Sequence, residues 1–128
     1  MAILLDTQLL IWLEEEPVNI KADVKAKIFS EPTVYFSLVS VWEMAIKMKI
    51  GKLTLKQPLE TVVTNFINDY NFEILNINQS HIYYTQQLPM LHKDPFDRLL
   101  VAQSLVENID IVSSDEIFDL YGIKRIWS

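Results

Sequence analysis

Short apolar, β-branched runs alternate along the chain with longer stretches whose apolar positions recur at helical spacing. Ala2 to Leu5 reads as a buried strand, and Thr7 opens a helix carrying Leu9, Leu10, Trp12 and Leu13. Ile20 to Phe29 reads as a second, more polar helix, and Thr33 to Phe36 as a strand. Val41 to Lys49 forms a helix that stops at Gly51. From Leu59 the positions Leu59, Val62, Val63, Phe66, Ile67 and Tyr70 mark an amphipathic helix, either core or partner surface. Phe72 to Ile77 predicts a short strand and Gln79 to Gln87 a short helix. Pro95 to Val106 is a helix opened by proline, Ile109 to Ser113 a strand, Glu116 to Leu120 a short helix and Lys124 to Trp127 a last edge strand. Strands alternating with helices indicate an α/β fold.

With 128 residues, half of them hydrophobic, the chain suffices for one core and is short for two, so one domain is expected. The absence of cysteine excludes disulfides, thiolate metal sites and thiol catalysis, leaving oxygen and imidazole as metal donors. Only two glycines, Gly51 and Gly122, are present, too few for a glycine-rich phosphate-binding turn. The apolar start is interrupted by Asp6 and runs into Glu14, Glu15 and Glu16, unlike a signal peptide or a membrane span; a cytoplasmic protein is expected. The net charge of −6 argues against a nucleic-acid partner on its own. A site for divalent cations gathers carboxylates, however, and these weigh as negative only until the cation arrives. Lysines are grouped at Lys47, Lys49, Lys52 and Lys56 and again at Lys21, Lys25 and Lys27; the second group reads as a solvated helix face.

Four carboxylates, Asp6, Glu43, Asp97 and Asp115, fall at or just inside predicted helix starts. In a parallel sheet with helical crossovers, helix N-termini and strand C-termini share one edge, where ligands of open α/β folds bind. Acids meeting there need positive charge between them, and magnesium or manganese fits oxygen donors. Each acid also has a structural reading. Ser40 and Glu43 have the spacing of a capping box; Asp94, Pro95 and Asp97 look like N-cap, first and third positions of a helix; Asp6 and Asp115 precede helical turns. His81 and His92 lie in no nucleophilic context and read as surface or packing residues. Trp12, Trp42 and Trp127 read as core anchors rather than base-stacking platforms. Asp23, Asp69, Asp110 and Asp119 read as solvated.

The segments LLDTQLLIWL, VSVWEMAIKMKIGKL, LPMLHKDPFDRLLVAQSL and IVSSDEIFDLYGIKRIW resemble, in this order, the signatures of PIN-domain proteins. The resemblance is closest to VapC-like toxins of type II toxin–antitoxin modules. It implies a single PIN domain over residues 1–128, with a Rossmann-like, three-layer α/β/α fold and a central parallel sheet. It implies an endoribonuclease that uses Mg2+ or Mn2+ to hydrolyse RNA phosphodiester bonds. Asp6, Glu43, Asp97 and Asp115 match the family's acids, with Asp94 a further acid whose cap role is favoured, and with Thr7 and Ser114 matching hydroxyl positions beside the first and last acids. Lys47, one turn past Glu43, and Arg98, beside Asp97, are placed either to touch a phosphate or to form surface ion pairs. Expected partners are the RNA substrate, a cognate antitoxin and a second copy of the chain. Gln8 departs from the histidine common after the first DT of such sequences. A catalytically silent PIN-like module that binds RNA or protein, and a metal-dependent phosphomonoesterase, are the competing readings.

Overall fold

The computed structural model describes residues 1–128. Its strands are β1 (Ala2–Leu5), β2 (Thr33–Ser37), β3 (Glu73–Leu75), β4 (Asp110–Val112) and β5 (Arg125–Ile126). The helices are α1 (Thr7–Glu15), α2 (Ala22–Ser30), α3 (Leu38–Lys49), α4 (Leu59–Asn68), α5 (Gln79–Thr85) and α6 (Pro95–Glu107), with 3-10 turns at Pro17–Asn19 and Glu116–Tyr121. The five strands form one sheet in the order β3-β2-β1-β4-β5, and every neighbouring pair is parallel. No helix is long and apolar enough to cross a membrane.

A parallel sheet is covered on both faces because each crossover lays a helix against it, and the strand residues divide accordingly. Ile3 and Leu5 of β1, Val34 and Phe36 of β2 and Val112 of β4 pack with Leu9, Leu10 and Leu13 of α1, Val24 and Ile28 of α2 and Val62 and Phe66 of α4. Leu4 and Ile111 point the other way, into a cluster with Leu100, Val101 and Ala102 of α6 and with Phe118. The two-residue side-chain period of a strand thus separates two helical layers around the sheet. Helix α3 serves both, Val39 on one side and Met44 on the other. The elements match the sequence pattern, with one shift that matters for the site. Strand β2 runs one residue further than predicted, and α3 starts at Leu38 with Ser37 as its cap, the Ser37 hydroxyl accepting from the Val39 amide at 3.0 Å.

The chain walks outward from β1 through β2 to β3, then returns to the other side of β1 for β4 and β5. This reversal leaves a crevice at the carboxyl ends of β1 and β4, where the crossovers diverge to opposite faces. Asp6 directly follows β1, and Ser113, Ser114 and Asp115 follow β4.

Candidate acidic active site

A cleft of about 430 Å³ occupies this crevice and is lined by Asp6, Thr7, Gln8, Ile11, Trp12, Glu43, Lys47, Asp94, Asp97, Ser114 and Asp115. All four acids singled out in the sequence therefore reach one cavity, together with Asp94, Thr7, Ser114 and Lys47. Cap and pocket turn out to be one placement. Asp6 caps α1 by accepting from the Leu9 amide at 2.9 Å, and Asp115 caps the 3-10 turn after β4 by accepting from the Ile117 amide at 3.0 Å. Asp94 caps α6, accepting from the amides of Phe96 and Asp97 at 2.8 and 3.3 Å, which frees the Asp97 side chain for the cleft.

Glu43 departs from expectation. It is the sixth residue of α3, not part of a capping box with Ser40, because the helix begins three residues before Val41. Its side chain is 6% exposed. Thr7 Oγ1 lies 2.8 Å from Glu43 Oε1 and 2.9 Å from Ser40 Oγ. A hydroxyl carries one proton, so Thr7 donates to the carboxylate and accepts from the serine. Lys47 donates to Glu43 Oε2 at 2.6 Å from the next turn of α3, and this bond holds the ammonium more firmly protonated than usual. Asp6 is held from a third direction. Ser113 Oγ donates to Asp6 Oδ2 and accepts from the Asp115 amide at 2.9 Å, joining the first and last acids.

Burial pushes the Asp6 carboxyl up from 3.8 to about 7, against the lowering effect of its Ser113 and Leu9 hydrogen bonds and with the charges of Asp97 and Asp115 adding to the rise. Burial likewise raises Asp97 to about 6; the hydrogen bond from His92 opposes it, and the charges of Asp94 and Glu43 reinforce it. The cleft sets Asp6, Glu43, Asp94, Asp97 and Asp115 against the single ammonium of Lys47. A divalent cation with a preference for oxygen donors fits this set on two counts: the donors are hard oxygens, and the local charge is strongly uncompensated.

Elsewhere, Arg98 and Trp42 depart from the sequence reading and His81 meets its packing alternative. Arg98 does not face the cleft. Its guanidinium donates to the carbonyls of Thr85 and Pro89 at 2.9 Å and of Leu88 at 3.4 Å, binding the α5–α6 loop to α6. His81 is fully buried, its Nδ1 accepting from the Asn78 amide at 3.1 Å and its Nε2 2.8 Å from Glu107. Trp42 is exposed and meets Phe96 edge-on, rather than anchoring the core. Trp12 is half-buried against Trp127 and forms, with Ile11, the apolar wall of the cleft. Asp119 is ion-paired with Arg125 at 2.9 Å. Two site residues escaped the sequence reading. Ser113, beside the matched Ser114, is the hydroxyl that meets Asp6, and His92 lies with Nε2 2.8 Å from Asp97 Oδ2.

The sequence profile of the PIN domain matches residues 3–124, so the chain belongs to the PIN domain family. Among solved structures it is similar to VapBC2 from Rickettsia felis bound to a DNA fragment from their promoter, at 15% identity over the whole of both chains with a TM-score of 0.77. It is similar to DNA-bound VapBC from Salmonella typhimurium, at 13% identity over 98% of this chain and 97% of that one, TM-score 0.70. A toxin–antitoxin complex from Klebsiella pneumoniae matches 89% of this chain with 87% of its own at 19% identity and a TM-score of 0.60. No curated protein matches the chain significantly.

Proposed function

We propose that the chain is a metal-dependent endoribonuclease, one PIN unit acting in the cytoplasm as the toxin of a type II toxin–antitoxin module. The observation that carries this reading is the convergence of Asp6, Glu43, Asp97 and Asp115 on one cleft in which two of the carboxylates are raised toward neutral pH by burial. Asp6, Asp97 and Asp115, with Glu43, would hold Mg2+ or Mn2+. When bound, the cation supplies positive charge that offsets charge building on the phosphate and makes water a better nucleophile. Asp6, raised to about 7 by burial, would give up its proton on taking this role. Thr7 aligns Glu43, and Lys47 compensates Glu43 while its remaining N–H groups face the cleft, in reach of a phosphate oxygen. Asp94 contributes charge at the rim and Ser114 a hydroxyl to the wall, whereas Arg98 takes no part.

The likeness to VapBC and toxin–antitoxin structures supports an antitoxin partner, and the second copy of the chain rests on the family resemblance alone. Purified protein is expected to cut RNA internally in the presence of Mn2+, to stop on chelation, and to lose activity in Asp6→Asn. Cleavage without a cation overturns the metal dependence, and an equally active variant overturns the assignment of the reaction to this cleft. Turnover of small phosphate esters but not RNA would favour a phosphomonoesterase.

A further inference from the structure

The four acids of the cleft differ in what holds them. Asp6 is fixed by the Leu9 amide and Ser113, Glu43 by Thr7 and Lys47, and Asp115 by the Ile117 amide. Asp97 has none of these supports. It stands in the first turn of α6, but the free amides of that turn are already taken by Asp94. The one hydrogen-bond partner of its carboxylate is His92 Nε2, at 2.8 Å from Oδ2. His92 sits in the loop between α5 and α6, two residues before the Asp94 cap, and its side chain is half-buried.

We propose that His92 is a positioning residue for Asp97, donating a hydrogen bond that holds this otherwise unsupported carboxylate in the rotamer that faces the cleft and thereby sets the affinity of the cleft for a divalent cation. A short aspartate without a partner samples its other staggered rotamers. A donor on one oxygen removes that freedom while leaving Oδ1 available. Hydrogen-bond partners of ligating carboxylates commonly contribute 10–100-fold to cation affinity. One nitrogen of His92 and one oxygen each of Asp94 and Asp97 lie within 4.8 Å of one another, which would also suit direct ligation by the imidazole. The Nε2 atom is already engaged with Asp97, however, and ligation through it would break the bond that orients Asp97. The donor role keeps the arrangement that the structure shows.

The inference rests on the proposed cation site, and titration of the full-length, cation-free protein with Mn2+ at one fixed pH separates the two. His92→Leu keeps bulk without a donor and is expected to weaken Mn2+ binding about tenfold or more. His92→Gln restores an N–H at comparable reach and is expected to recover most of that loss. Should His92→Leu fail to fold, His92→Asn, whose arm is too short to meet Oδ2, replaces it. Wild-type affinity in the variant lacking the donor overturns the proposal. Equal loss in the glutamine variant also overturns it, by making the imidazole itself a ligand. If wild-type protein takes up no Mn2+, or Asp97→Asn binds as well as wild type, the cation site itself is refuted and this role with it.

Discussion

Asp6 sits buried where β1 hands over to α1, and its charge carries a cost there. Its identity as an acid after a buried strand was legible, because LLD before a helical run places a carboxylate where the strand hands over to the helix. Its burial to 6% exposure was not, since that depends on Ser113 and the β4 end, which lie 107 residues away along the chain. The consequence is a stability cost with a defined sign. The carboxyl ionises near pH 7 in the folded protein and at 3.8 otherwise, so the folded state binds more protons between those values. Without a cation, this group therefore lowers stability as pH rises from about 4 to about 7, and the loss is complete above that range. The displacement bounds the effect at about 4 kcal/mol, and the opening of the cleft to water reduces it to about 1–3 kcal/mol. Asparagine keeps an acceptor for the Leu9 amide and carries no charge. Asp6→Asn is thus expected to be more stable than wild type in urea titrations with chelator at pH 8, and the difference is expected to shrink as the pH is lowered toward 4. No difference at pH 8 would mean that Asp6 is better solvated than its burial implies.

At the scale of elements, periodicity recovered the helices and strands because both faces of the sheet are covered and each helix buries one stripe. The starts of helices were harder. Ser37 and Ser40 stand three apart, and either could cap α3; the choice depends on how far β2 remains paired, and its pairing with β3 carries the strand through Ser37. That one-turn displacement moved Glu43 from a cap to a helix interior, where its partners are Thr7 and Lys47. The reading at α6 was correct for the opposite reason: Asp94 followed by proline admits one helix start, since proline tolerates the first turn and little else. Asp94 accepts two backbone N–H groups there. Asp94→Ala is expected to cost about 1 kcal/mol of unfolding free energy, and Asp94→Ser, which retains a capping oxygen, to cost much less. Denaturant unfolding of the cation-free variants measures both. Equal losses would show that the Asp94 charge, rather than its cap, stabilises the helix.

For the whole molecule, the strand order β3-β2-β1-β4-β5 is what makes a site out of separate acids, and no local pattern encodes it. The periodicity showed that strands alternate with helices and the family resemblance implied a parallel sheet, but neither named the neighbours of β1. Once β1 lies between β2 and β4, the acids after β1 and β4 and those on α3 and α6 face one crevice, and a chain of net charge −6 concentrates repulsion there. A fold that stores repulsion at its ligand-binding edge is stabilised by whatever neutralises it. Mn2+ at about a thousand times its dissociation constant is expected to add about 4 kcal/mol to wild-type stability by binding the folded state alone. Asp6→Asn lacks a donor and is expected to gain little. The ranking of the two proteins should therefore invert: the variant unfolds at the higher temperature with chelator, and the wild type unfolds at the higher temperature with saturating Mn2+. Calorimetric scans of both proteins in both conditions give the four values needed. A cation that shifts the two equally acts elsewhere on the surface, and the repulsion at the crevice is then relieved by something other than metal.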